Sequence, residues 1–375
     1  MPSHPPSSMR LSSGGYEVLV TCPTGASHQD KGQPCQDACM VMQRYYRGVP
    51  YTVLAIADGH GNTKYPRSDI GAHLAVEAAG AAASDWVILL TSLRAEHPQD
   101  WHKQVEHEVT HRLGRDLVRY WRDFVDEHAK NNPEHGVTPE SEVWFERYGS
   151  TLALTILYDD QFLIAANLGD GAIYLADQQD GVLKVRPVTE SPLENVGLGT
   201  DSLVSPQAHY RWRSEVVDLS PHPELPDDSS VTVTPTPLVM VLLTTDGLTD
   251  SLDNPQTSVE QVCHHTWHHG MDWLHTVLPK QLADWSDHGV GDDMGCIVLF
   301  NTKARPIPPS EHVQSDPQAA THAPPIGTDQ SATPAAMTSP DTSDAADTSP
   351  IEPLPESAAP DHTPLDPGAI HEQNH

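Results

Sequence analysis

The sequence predicts an α+β fold in which two mainly antiparallel sheets are covered by helices. Two observations carry this expectation. Short apolar runs with strand character fall into two blocks, before and after a pair of helical stretches, without the regular strand–helix alternation of a parallel sheet. The clearest of these runs is apolar at nearly every position, the mark of a strand buried on both faces.

The elements follow in order. Residues 1–13 read as a short polar, disordered leader. Residues 17–22 (EVLVTC), 38–46 (ACMVMQRYY) and 51–57 (YTVLAIA) read as strands, the last stopping at Asp58-Gly59-His60-Gly61, where two glycines force a turn. Residues 68–83 form an alanine-rich helix with Ser68 or Asp69 as N-cap, and residues 99–130 repeat Val105, Val109, Leu113, Leu117, Trp121 and Val125 at helical spacing. Residues 151–158 (TLALTILY) and 162–168 (FLIAANL) flank a tight Asp159-Asp160-Gln161 connection and read as a hairpin. Gly169-Asp170-Gly171 then turns the chain into a strand at 172–176. Residues 190–237, rich in Pro, Ser and Asp, read as loops. Residues 238–243 (LVMVLL) are a buried strand ending at Thr244-Thr245-Asp246-Gly247. Residues 259–285 are helical, with breaks expected at Gly270 and Pro279, and 295–300 (GCIVLF) is the last strand.

Aromatic residues mark the limit of the folded part. All eight Trp lie between Trp86 and Trp285, and none of Phe, Trp or Tyr occurs after Phe300. The domain is therefore expected over residues 14–302. Residues 303–375 hold 14 of the 34 Pro, with many Ala, Ser, Thr and Asp, and cannot bury enough apolar surface to offset the entropy of ordering; they read as a disordered acidic tail.

The net charge is -31, and both the domain and the tail are acidic. A nucleic-acid partner, which needs clustered Lys and Arg, is not expected. A phosphate-handling site in so acidic a chain needs cations of its own, and bound metal ions would supply them. Five Cys without framework spacing point to reduced thiols and a cytoplasmic location, with Cys35 and Cys39 as small core residues. The N-terminus lacks an apolar signal core, and no run reaches the roughly 18 apolar residues of a membrane span, so no membrane partner is expected.

Four carboxylates share one local setting. Asp58 follows VLAIA, Asp170 follows FLIAANLG, Asp246 follows VMVLLTT, and Asp292 lies just before GCIVLF. Each sits at one end of a buried strand, where a rigid sheet can aim loop residues at one point. Converging carboxylates repel one another, and hard divalent cations relieve that repulsion. Oxygen-only ligands suit Mg²⁺ or Mn²⁺, and two such ions sharing a carboxylate can hold and acidify a water for attack on phosphorus. Gly59 lets backbone come close, so that its carbonyl can also serve as a ligand, and His60 is placed to protonate a leaving oxygen.

Taken together and in order, these segments resemble type 2C metal-dependent protein phosphatases, in a bacterial-type variant. The resemblance rests on Pro34-Cys35-Gln36-Asp37-Ala38, Ala57-Asp58-Gly59-His60-Gly61, Gly149-Ser150-Thr151, residues 166–171 (ANLGDG), residues 245–250 (TDGLTD) and Asp292-Asp293-Met294. It implies a four-layer fold, a central β-sandwich flanked by helices. It implies that Asp58 bridges two metal ions and that the Gly59 carbonyl binds the second. Asp246 and Asp292 would complete the first ion's shell, Asp37 would hold metal-bound water, and Asp170 would help bind a third ion. His60 would be the general acid. The implied reaction is hydrolysis of phosphoserine or phosphothreonine in proteins without a covalent enzyme intermediate, and the implied partners are a phosphorylated protein and its Ser/Thr kinase.

Three positions depart from the family's pattern. Gln36 stands where many members carry an acid, Gly171-Ala172 replaces Ser-Arg, and no Arg other than Arg10 precedes the first motif. His28 or Lys31 would then grip the substrate phosphate. The rival readings are a pseudophosphatase that binds a phosphoprotein or kinase, and a hydrolase of small phosphate esters. His264, His265, His268 and His269 invite a zinc reading. Structural zinc takes four ligands, and no second Cys/His cluster lies nearby in sequence, so they read as surface histidines.

Overall fold

The computed structural model describes residues 8–13, 15–133, 144–179, 181–188, 200–219 and 238–304. The acidic tail beyond Ala304 and residues 1–7 of the leader lie outside the described residues. The strands are β1 (Ser8–Ser13), β2 (Tyr16–Thr21), β3 (Ala38–Tyr46), β4 (Val49–Ala57), β5 (Leu152–Tyr158), β6 (Phe162–Leu168), β7 (Ala172–Gln179), β8 (Val182–Pro187), β9 (Arg213–Asp218), β10 (Leu238–Thr244) and β11 (Cys296–Asn301). The helices are α1 (Ala26–Lys31), α2 (Ser68–Glu96), α3 (Trp101–Glu108), α4 (Gly114–Asn131), α5 (Asp246–Asp250), α6 (Pro255–His269) and α7 (Met271–His288).

Among the described residues every strand pairing is antiparallel. One sheet has six strands in the order β1-β2-β11-β10-β7-β8, and the other has five in the order β3-β4-β5-β6-β9. Their inner faces pack together. Alternation along each strand then assigns every side chain to a layer. In β4, Leu54 and Ile56 enter the core between the sheets with Leu243, Ile297 and Leu299, whereas Val53, Ala55 and Ala57 turn outward onto α2. In β10 and β11, Leu242, Val298 and Phe300 turn the other way, onto α6 and α7. The continuous apolar runs therefore encode strands covered on both faces inside an antiparallel sandwich.

Several local expectations are corrected. Ser8–Ser13, read as part of the leader, form an edge strand paired with β2, and Leu11 packs on the inter-sheet core. The long helix expected over 99–130 is α3 and α4 joined by a π-turn at Val109–Leu113, in which Val109 and Leu113 stay buried. Gly270, at φ 79, ends α6 as expected. Pro279 does not end α7, because Leu274, Leu278, Leu282 and Trp285 bury one face across it and outweigh the lost backbone bond. The region read as loops contains β9, whose alternation is only partly apolar. Ser68 begins α2, yet its hydroxyl accepts from Gln36 Nε2 at 3.2 Å and does not cap the helix.

By length and composition alone α2 could cross a bilayer, and half of that apolar stretch is buried in this fold. Its face of small residues, from Ala72 through Ala83, lets the helix lie close on β3 and β4. At Gly71 the approach is closest. A Cβ there would sit 2.1 Å from the Tyr148 carbonyl oxygen, and Trp121 Nε1 donates to the Gly71 oxygen at 3.2 Å. Replacing a helical Gly by Ala normally gains about 0.5–1 kcal/mol. Here the backbone clash should win. Gly71→Ala is expected to destabilise the fold by about 1–3 kcal/mol, read as a lower midpoint of urea unfolding.

Candidate metal centre

Both sheets deliver carboxylates to one place. Asp58 follows β4 and Asp170 follows β6 in the five-stranded sheet; Asp246 follows β10, and Asp292 precedes β11, in the six-stranded one. Oxygens of Asp58, Asp170 and Asp246 all lie within 4.8 Å of one another. Asp37, just before β3, is 4 % exposed and interacts directly with Asp58.

Backbone bonds hold these groups in place. The Asp58 amide donates to Thr151 Oγ1 at 3.0 Å, the Thr151 amide donates to the Asp58 carbonyl at 2.8 Å, and the His60 amide donates to the Gly149 carbonyl at 3.1 Å. Gly149-Ser150-Thr151 thus clamps Asp58-Gly59-His60, with Gly59 and Ser150 forming a bridge of their own. Gly59 also donates to the Gln36 carbonyl at 3.0 Å, and a Cβ on it would come within 2.5 Å of the Ser68 carbonyl oxygen. Asp37 Oδ2 accepts from Thr245 Oγ1 and from the Gly295 amide, both at 2.7 Å, which fixes the carboxylate across the gap between the sheets.

His28 lies within 4.8 Å of oxygens from both Asp292 and Asp293. Its Nδ1 is 2.9 Å from Asp293 Oδ2, and the pair is buried. Asp293 also accepts from the Gly25 amide at 2.7 Å and from the Gln36 amide at 2.6 Å. The geometry therefore makes His28 an anchor of the loops around Asp37 and Asp292. Lys31 is exposed at the end of α1, with Nζ 3.4 Å from Ser27 Oγ.

Sequence reasoning gave no role to Asp293, nor to Arg213, whose Nη2 donates to the Gly169 carbonyl and whose charge faces Asp201 and Asp170. Two acidic neighbours in a row at 292–293 were the available hint for the first. For Arg213, the hint was the RSEVVD alternation hidden in an apparent loop. The histidines at 264–269 join no group of three metal-ligating side chains among the described residues; His265 stacks near Trp273, with ring centroids 5.1 Å apart.

The donor set fits hard divalent cations. Burial pushes the Asp58 carboxyl well above the usual carboxylate range, and repulsion from Asp37, Asp292 and Asp170 adds to this. Burial, followed by the charge of Asp58, pushes Asp246 up to about 9. Asp170 Oδ2 accepts from Thr200 Oγ1 at 2.5 Å, while its buried Oδ1 has no hydrogen-bond partner. A buried acceptor without a donor, beside the crowded carboxyls of Asp58 and Asp246 that resist ionisation, is what Mg²⁺ or Mn²⁺ would satisfy.

Titration gives a test with a definite sign. An unfolded Asp loses its proton near pH 3.9. Between about pH 4 and 9 the metal-free fold retains on Asp246 a proton that the unfolded chain has lost, so this contribution to stability falls as pH rises through that window. Mn²⁺ is therefore expected to raise the melting temperature more at pH 8 than at pH 6, and to release protons on binding. Thermal melts in Mn²⁺ and in EDTA at the two pH values check this; equal shifts would contradict it.

A family model described as Protein phosphatase 2C matches residues 24–285. Among solved structures, serine-threonine phosphatase 2C from Toxoplasma gondii matches at 13% identity over 79% of this chain and 99% of that chain, with a TM-score of 0.49. PppA, a key regulatory component of T6SS in Pseudomonas aeruginosa, matches at 15% identity over 78% and 99%, with a TM-score of 0.43. The phosphatase domain of the cell fate determinant SpoIIE from Bacillus subtilis matches at 13% identity over 77% and 94%, with a TM-score of 0.35. None of the curated proteins compared matches the chain. The family assignment rests on the family model, which spans well over half of the sequence: the chain belongs to the protein phosphatase 2C family.

Proposed function

We propose that this chain is a metal-dependent phosphatase acting on phosphoserine and phosphothreonine in proteins. The observation that carries the reading is the convergence of Asp58, Asp170 and Asp246 within 4.8 Å, with Asp37 locked beside them. Asp58, the Gly59 carbonyl, Asp246 and Asp292 would hold two Mn²⁺ or Mg²⁺ ions; Asp37 would orient water on them, and Asp170 would share in a third site. Bound there, the ions supply positive charge against the phosphoryl oxygens and a water of lowered pKa.

The chain's own groups account for the remaining steps. Thr245 and Gly295 keep Asp37 fixed, so its carboxylate can orient an attacking water without reorganising. The departing serine or threonine oxygen is strongly basic and needs a proton. His60 is half-buried against Tyr65, with ring centroids 4.9 Å apart. Burial lowers its pKa, with Asp170 pulling the other way, so the ring gives up a proton readily. The five free thiols accord with a cytoplasmic enzyme, whose partners would be a Ser/Thr kinase or that kinase's targets.

Phosphate release from a phosphothreonine peptide tests the reading. Turnover is expected with Mn²⁺, none with EDTA, and none in Asp58→Ala; a wild-type chain that is inactive at every Mn²⁺ and Mg²⁺ level would overturn it. His60→Ala should slow the peptide reaction by about a hundredfold. The same change should slow p-nitrophenyl phosphate hydrolysis far less, because nitrophenolate leaves without a proton.

A further inference from the structure

Cys22 follows β2, and Cys35 lies in the loop between α1 and β3. Their Sγ atoms are 3.7 Å apart, and each lies 3.6 Å from the Asp37 carbonyl oxygen, to which both thiols donate. Both residues are half-buried, within reach of a small oxidant, and both are free thiols. Cys39 also interacts with Cys22, whereas Cys263 and Cys296 are buried.

We propose that Cys22 and Cys35 are a modification site, a thiol pair that an oxidant such as hydrogen peroxide closes to a disulfide, weakening cation binding at the carboxylate cluster. One sulfur attacks peroxide, breaking the O–O bond; it becomes a sulfenic acid, and the first water leaves with its thiol proton. The second sulfur displaces the sulfenic hydroxyl, which leaves as water with the second thiol proton. Two S–H bonds and one O–O bond are lost, one S–S bond forms, and peroxide is reduced to two waters.

The consequence for the site follows from what each cysteine is tied to. Closure requires the sulfurs to approach by about 1.6 Å. Cys22 adjoins Thr21, which is paired with both Ser8 and Cys296, so it is held by its sheet. Cys35 is in irregular chain and must do most of the moving. Its neighbour Gln36 donates to Asp293 Oδ2 at 2.6 Å and accepts from the Gly59 amide at 3.0 Å, and Asp37 comes next. Displacement of Cys35 therefore falls on Asp37 and Gly59, two groups assigned to the cations. This consequence rests on the metal reading above; formation of the bond does not.

The test uses the full chain, reduced and then treated with hydrogen peroxide, followed by alkylation, proteolysis without reductant and mass spectrometry. The expected result is a peptide joining Cys22 to Cys35, absent after dithiothreitol and in Cys35→Ser. A Cys22–Cys39 link in its place, or no link while exposed methionines oxidise, would overturn the pair. Calorimetry with Mn²⁺ alone then compares oxidised and re-reduced chain, and the expected loss of affinity on oxidation is about tenfold. Unchanged affinity in a chain shown to carry the bond would overturn the coupling. Both readouts are free of turnover, so an inactive phosphatase, or a reduced chain that binds no Mn²⁺, is recognised separately.

Discussion

Repulsion among half-buried carboxylates is the constraint around which this molecule is organised. A fold gains nothing by driving Asp58, Asp170 and Asp246 together, since the charge of Asp170 raises the cost of ionising Asp58, and both raise that of ionising Asp246. The arrangement persists because strands buried on both faces leave their ends little freedom, and because each carboxylate-bearing turn is fastened to another turn. Thr151 fastens Asp58, Thr245 fastens Asp37, and Asp293 fastens the Gly25 turn, His28 and Gln36. Packing energy in the sandwich is thus opposed locally by electrostatics, a conflict found where a site is kept for function.

Much of this was written in the local sequence. The strands at 51–57, 162–168 and 238–243 could be read because two-sided burial makes a run apolar nearly throughout, and such runs place the Asp residues at strand ends without any knowledge of the fold. What local sequence does not carry is pairing over distance. His28 and Asp293 meet only because α1 and the turn before β11 are brought together by sheet order. No property of SHQDK announces that its histidine will be buried on a carboxylate. Arg213 was hidden for a related reason: β9 is an edge strand, half-exposed, and carries too few apolar residues to stand out from loop.

The polar corrections share a cause. Ser68 is a good N-cap by composition, yet it is drawn to Gln36, the residue whose amide and carbonyl are already held by Asp293 and Gly59. Local capping, worth about 1 kcal/mol, gives way to a contact that ties α2 to the loop carrying Asp37. The departure from the family's acid at position 36 is thereby given a physical role in this chain, because the amide of Gln36 can donate where a carboxylate could not.

Strand order also sets when the site can exist. β2 pairs with β11 from Tyr16↔Asn301 to Thr21↔Cys296, so the first core strand of the six-stranded sheet waits for the last. Asp58 and the five-stranded sheet are made early in synthesis, whereas Asp292 and β11 emerge only as the domain is finished. A growing chain therefore carries Asp58, Asp170 and Asp246 before Asp292 can join them. Its N-terminal strands remain an open edge until Asn301 leaves the ribosome, so this topology couples completion of the domain to closure of the six-stranded sheet beside the carboxylates.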